Sequence, residues 1–249
     1  MYILQITLPF PKPENHCTIV NLKIRIHRGS NEIGASCFEI QGQKARILID
    51  AGHPLDDSES SLPQNINLYD AVFISHCHQD HYGLLENMPS NVPVYMGAVA
   101  WDFVCANRLF MNKEALSLNL KPLAAWEPVT IGDLEIKPYL VDHSAPEAFS
   151  FLVDSGDKKL YYSGDFRAHG RKSKLFDNMC KRPPENIDAL VMEGTMVNRS
   201  NTKYPNEDSV ENGMIETINM SEGITCLISS SQNIDRLVSA NRAARNTKK

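Results

Sequence analysis

No apolar run in these 249 residues approaches the roughly 18 needed to cross a bilayer; a typical one is as short as Ala71-Val72-Phe73-Ile74. The N-terminal Met1-Tyr2-Ile3-Leu4 lacks a basic region, a long apolar core and a small-residue cleavage site, so neither a signal peptide nor a membrane partner is expected. Cysteine is sparse and scattered. The six (Cys17, Cys37, Cys77, Cys105, Cys180, Cys226) all lie at least 20 positions apart, which excludes zinc-finger spacing and a dense disulfide framework. A reducing cytoplasmic setting follows as the expectation. Internal repeats and low-complexity tracts are absent. So is a cationic surplus: the formal net charge of -5 argues against a generally basic nucleic-acid binder.

What is present is a globular composition, 42% hydrophobic and 22% charged, enough for a core in one or two domains. The charge is uneven. Residues 166–182 carry six Lys/Arg and one Asp, and residues 236–249 carry five Lys/Arg and no acid. Local positive patches on an acidic body suit a site that meets an anionic substrate, and equally suit solvated faces.

Pro9, Pro11 and Pro13 break regular structure, so residues 1–20 read as a loose leader. Strand patterns follow at 23–27, 37–40, 45–49, 70–75, 92–96, 135–141, 148–153, 160–162, 189–192 and 225–229, with helices at 84–87, 98–112, 209–220 and 234–245. The class is mixed α/β (α+β). A break is expected at 198–208, where Asn, Ser and Pro accumulate.

The strongest local signal is Ser75-His76-Cys77-His78-Gln79-Asp80-His81-Tyr82-Gly83, which holds three of the eight histidines. In an extended segment positions i and i+2 face one side, so His76 and His78 can aim two imidazoles at one metal. After a turn Asp80 and His81 can face a second metal, with Gly83 allowing a tight entry into a helix. Imidazole plus carboxylate suits zinc, and manganese or iron less specifically. Cys77 falls between the ligands and should point into packing.

This pattern resembles the signature of the metallo-β-lactamase superfamily, and the resemblance continues in order. Leu48-Ile49-Asp50-Ala51-Gly52 is similar to its first motif, which implies a supporting role for Asp50 behind the metals. Val141-Asp142-His143-Ser144 and Tyr162-Ser163-Gly164-Asp165 resemble its third and fourth, which implies His143 as a further ligand and Asp165 as a bridging carboxylate. The implied fold is an αββα sandwich. The implied cofactors are two Zn2+ ions whose positive charge acidifies a water and stabilises charge in a hydrolytic transition state.

Val191-Met192-Glu193-Gly194-Thr195 and Ser229-Ser230-Ser231-Gln232-Asn233-Ile234-Asp235-Arg236 resemble the β-CASP branch, which processes nucleic acids; so do Gly29–Gly34 and Phe166–Arg171. That resemblance implies a nuclease acting on RNA or DNA, with Asp80 and Glu193 catalytic and Glu193 orienting a histidine from later in the chain. Arg167, Arg171, Lys172 and Lys174 begin two residues after Asp165, where they would meet a phosphodiester backbone or form a solvated loop. His169 is a candidate for leaving-group protonation, or a plain surface histidine. No histidine follows His169, whereas the branch supplies two more. The chain therefore reads as truncated, with a metallo-β-lactamase part at 21–200 and the start of a β-CASP domain at 201–249. A homodimer or a complementary C-terminal half would be its partner. The competing readings are a small-molecule hydrolase of the same superfamily, acting on a thioester, lactone or lactam, and an inactive fragment.

Overall fold

The computed structural model describes residues 16–19, 21–56, 58–196 and 206–247. The first sheet has seven strands: β1 (His16–Ile19), β2 (Leu22–Arg28), β3 (Cys37–Gln41), β4 (Arg46–Ile49), β5 (Ala71–Phe73), β6 (Pro93–Gly97) and β7 (Asn119–Leu123). They lie side by side in chain order, antiparallel up to β4 and parallel from there. The second sheet has five: β8 (Val129–Ile131), β9 (Leu134–Leu140), β10 (Phe149–Asp154), β11 (Lys159–Tyr162) and β12 (Ala189–Val191), in reverse spatial order. The helices are α1 (Gln79–Tyr82), α2 (Ala98–Phe110), α3 (Ser173–Lys181), α4 (Glu207–Met220) and α5 (Ile234–Asn246).

Alternation along the strands builds the layers. In β3, Phe38 and Ile40 face the second sheet and meet Phe149, Phe151, Leu160 and Tyr162 in one buried cluster. Cys37 on the same strand, Leu48 on β4 and Val72 on β5 face the other way and pack with Val94, Met96, Ala100 and Val104 beneath α2. Phe73 stacks on Tyr95 and meets Phe151 edge-on, which locks the two sheets together. On the outer face of the second sheet, the Tyr161 hydroxyl reaches Met179 of α3. The architecture is that of the expected sandwich.

Several sequence expectations change. Residues 16–19, expected in a loose leader, form strand β1 against β2; residues 1–15 lie outside the described part. The helix expected at 84–87 is a 3-10 turn, Gly83–Asn87, entered from α1, which itself contains Asp80 and His81. The strand expected at Thr225–Ser229 is absent: this stretch is irregular and pairs with no strand among the described residues. Its β-branched sequence has no neighbouring ladder to complete, and tertiary context overrides propensity. The break expected at 198–208 falls mostly on residues outside the described part; α4 begins at Glu207 behind an Asn206–Ser209 capping box. Strands β7 and β8 and helix α3 were not foreseen. β7 carries Pro122, tolerated because this strand is an edge; β8 is three residues long; α3 is short and only half-buried, through Leu175, Phe176 and Met179.

Candidate metal centre

The site residues sit where strands end. Asp50 follows β4, the 75–81 segment follows β5, His143 follows β9, Asp165 follows β11 and Glu193 follows β12. Both sheets therefore deliver side chains to one edge of the sandwich. Two close approaches require glycine. At Gly52 a Cβ would overlap the backbone oxygen of Asp80. Gly164, at φ +56°, brings a Cβ position within 2.7 Å of the Phe149 carbonyl oxygen.

Asp50 is fully buried and holds φ +61°, a left-handed conformation unusual for a residue with a side chain. Its carboxylate gathers four donors: the Ser75 N–H at 2.7 Å, the Ser75 hydroxyl at 2.9 Å, His81 Nδ1 at 2.7 Å and the Tyr162 hydroxyl at 2.7 Å. It sits behind the site, as the resemblance implied. Ser75 and Tyr162 were not singled out from the sequence, although both stand inside the motifs quoted.

Three imidazoles converge. His78 Nδ1 lies 3.0 Å from His76 Nε2 and 3.1 Å from His143 Nε2. The opposite nitrogens are already engaged. His78 Nε2 donates to the Gln232 carbonyl at 3.2 Å, which leaves Nδ1 unprotonated. The Ser75 hydroxyl gives its proton to Asp50 and accepts from His76 Nδ1 at 3.1 Å, which leaves His76 Nε2 unprotonated. Two lone pairs then face each other at hydrogen-bond distance with no proton between them. That donor set fits a cation: tetrahedral zinc with bonds of about 2.0–2.1 Å separates its nitrogens by roughly 3.3–3.4 Å.

A second donor group adjoins the first and shares His76 with it, adding His81 and Asp165. His81 Nδ1 donates to Asp50, so Nε2 faces outward, 3.4 Å from Asp165 Oδ1 and 3.8 Å from Asp80 Oδ2. All six residues expected as ligands, His76, His78, Asp80, His81, His143 and Asp165, are thus drawn to one place. Cys77 turns instead into the apolar cluster under α2, and burial pushes its thiol up to about 12.

The electrostatics follow from burial and charge. Burial, with the neighbouring imidazoles, holds His76 well below its ordinary value, and burial takes His143 down to about 3. Burial would raise Asp165, but His81 and then the other imidazoles hold it well below the carboxylate range. Burial likewise opposes charge on His81, and Asp165 and Asp50 outweigh it.

Glu193 lies beside the Asp165 loop, its carboxylate accepting from the Phe166 N–H at 3.4 Å and the Thr195 N–H at 3.0 Å. The basic residues depart from expectation. The Arg167 guanidinium is bonded to Asp235 and lies 3.7 Å from Glu207. Arg171 pairs with Glu211 at 2.6 Å and also reaches the Ser239 hydroxyl. Neither forms an open rim, because α4 and α5 bring carboxylates to both. Lys172 is one-third exposed and donates to the His143 carbonyl at 2.8 Å, and only Lys174 extends into solvent. His169 lines a cavity of about 760 Å³ between α4 and α5, with Glu207, Met214, Leu227 and Arg236.

Comparison with known proteins agrees with this geometry. The Beta-lactamase superfamily domain matches residues 45–225. A transcription termination factor, FttA, of Methanothermobacter thermautotrophicus is 27% identical over 219 residues, covering 76% of this chain and 34% of that protein. An RNase J-like protein of Methanocaldococcus jannaschii is 27% identical over 213 residues, covering 78% and 47%. A ribonuclease J of Sinorhizobium meliloti is 27% identical over 180 residues, covering 70% and 32%. The chain thus spans less than half the length of these relatives. Among solved structures, a protein of unknown function from Enterococcus faecalis V583 superposes with a TM-score of 0.75 at 16% identity, over 91% of this chain and 63% of that one, a likeness of fold. Paired metal-donor groups at the strand ends of a two-sheet sandwich, a domain match across 45–225 and these relatives lead to one conclusion: the chain belongs to the metallo-β-lactamase superfamily, in its β-CASP branch.

Proposed function

We propose that this chain carries the metal centre of a β-CASP-type hydrolase that cleaves phosphodiester bonds in RNA. The observation that carries the reading is the pair of donor groups sharing His76, one closed by His78 and His143 and the other by His81 and Asp165. Zinc ions held there would supply positive charge for phosphoryl oxygens and make a water acidic enough to ionise near pH ~7. The chain's own residues do the rest. Asp80, with 17% of its side chain exposed, faces the mouth and accepts the proton of the attacking water. Asp50 holds His81 in the tautomer that presents Nε2, and the Gln232 carbonyl does the same for Nδ1 of His78. Glu193, held by two backbone N–H groups, marks where a leaving-group donor docks. Lys174 supplies the phosphate-facing charge, while Arg167, Arg171 and Lys172 hold the scaffold. The relatives named as ribonucleases favour RNA over DNA. Among the described residues no helix is long and apolar enough to cross a membrane, and five cysteines are free.

A second reading is favoured by one observation. Ile224 and Ile228 are 93% and 99% exposed beside the α4–α5 cavity, an apolar stretch that a complementary half or second chain would cover. Activity would then need that partner.

The test is zinc content and cleavage of end-labelled RNA by the purified chain and by His78→Ala. Expected are about two zinc ions per chain, fewer in the variant, and cleavage lost by at least a hundredfold. Cleavage that survives His78→Ala removes the assignment.

A further inference from the structure

Asp235 stands in the first turn of α5, where an acid is commonly explained by the helix dipole alone. Three observations go beyond that. The helix is already capped by Asn233, whose Oδ1 accepts the Arg236 N–H at 3.0 Å. Asp235 is buried, where an unpaired charge would be costly. Its carboxylate is directed at the loop 166–172, which leaves Asp165. Oδ2 takes the Arg167 guanidinium and the Arg171 N–H at 3.3 Å, and Oδ1 takes Lys172 Nζ at 3.4 Å. The same Lys172 ammonium donates to the His143 carbonyl at 2.8 Å. The neighbouring Ile234 N–H donates to the Ser144 carbonyl at 3.0 Å, and Arg167 N–H to the Asp142 carbonyl at 2.7 Å. A short chain of bonds therefore joins the loop that carries His143, the loop that carries Asp165 and the start of α5.

We infer that Asp235 is a positioning residue of the metal centre, setting His143 relative to Asp165 through Lys172 and Arg167. This rests on the metal-centre reading above. His143 and Asp165 are reached from different strands, and no direct bond between them fixes their spacing. Their loops meet through the buried carboxylates Asp142, which accepts Gly170 N–H at 2.6 Å and Lys172 N–H at 3.2 Å, and Asp235. Asp142 belongs to one of the two loops, whereas Asp235 comes from a helix nearly 70 residues later in the chain. The position of α5 is in this way written into the metal geometry.

The experiment is zinc affinity by chelator competition, together with the visible absorption of the cobalt-substituted protein, on folded samples checked by circular dichroism. Asp235→Asn keeps the shape and loses the charge, and is expected to bind zinc about tenfold more weakly with an altered cobalt spectrum. Lys172→Met is expected to do the same, and the double variant to lose little more than either, because both act on one bond chain. Glu211→Gln removes the Arg171 pair of the same helical docking without touching the His143 loop, and is expected to leave zinc affinity and spectrum unchanged. Asp235→Asn with wild-type affinity and spectrum, or Glu211→Gln with an equal loss, overturns the positioning role while leaving the metal centre standing. A wild-type chain that takes up no zinc overturns the metal-centre reading, and this inference with it.

Discussion

Single residues in this chain are constrained most tightly where charge is buried. Asp50 accepts four hydrogen bonds in a strained backbone conformation, and its burial is repaid only if every donor is in place. Glu39 is the counterpart outside the metal centre. Its carboxylate is buried among Arg46 (3.0 and 2.9 Å), the Tyr69 hydroxyl (2.7 Å) and His27 Nε2 (2.8 Å), and the Arg46 guanidinium lies 4.3 Å over the Tyr69 ring. Burial alone would raise Glu39, but the bonds from Arg46, Tyr69 and His27 bring it down to about 2 from 4.5. A depressed carboxylate stabilises the fold above its unfolded value and loses that contribution as pH falls through its folded value. Glu39→Gln is therefore expected to cost about 3 kcal/mol at pH 7 in urea unfolding, with the gap to wild type narrowing from about pH 4.5 down to 2. A gap that stays constant across that range would show the network to be uncharged.

At the scale of elements, the short β3–β4 hairpin and the β5 strand set the positions of Asp50 and the histidine segment. Backbone bonds then stitch these ends together: Ala51 N–H to the His81 carbonyl at 2.8 Å, and Ser36 N–H to the Asp80 carbonyl at 3.0 Å. Gly52 makes that approach possible. Gly52→Ala is expected to push the β4 end away from α1, lowering stability by about 3 kcal/mol and abolishing tight zinc uptake, measured by thermal unfolding and metal analysis. Normal zinc uptake by that variant would mean that the loop can move without disturbing the ligands. The alternation in β2 and β9 was readable because it matches half-buried strands. Helix α2 was readable by its three-to-four spacing, but the spaced residues Val99, Phe103, Ala106 and Phe110 lie on its exposed side, and Ala100 and Val104 are the ones that meet the apolar cluster. Thr225–Ser229 misled for a physical reason. A β-branched stretch becomes a strand only when another strand lies alongside, and none does among the described residues.

Across the whole molecule, α4 and α5 are held to the sandwich largely by ion pairs. Arg167 meets Asp235 and Glu207, Arg171 meets Glu211 and Asp208, and Lys172 meets Asp235. The sandwich itself is held by the aromatic and aliphatic cluster between its sheets. The two respond differently to ionic strength, since screening weakens partly exposed pairs and leaves apolar burial intact. Raising salt from 0.05 to about 1 M, where the screening length shrinks to about 3 Å, is expected to speed amide exchange in α4 and α5 several-fold while β3, β4 and β10 stay protected. Equal protection at both salt concentrations would mean that the helical pair is docked by packing.

The sequence by itself determined the mixed class and the donor candidates His76, His78, Asp80 and His81, because spacing within one short segment is local information; the sandwich, His143 and Asp165 were legible only through the resemblance to the superfamily's motifs. The fate of the basic run was decided only in three dimensions. Arg167 and Arg171 look like phosphate ligands along the chain, but carboxylates at positions 207, 211 and 235 reach them first. The same is true of the Gln232 carbonyl behind His78 and the Lys172 bridge to His143. Spacing along a chain says which side chains share a face. Which buried charge finds which partner depends on how distant elements pack, and only the tertiary structure decides that.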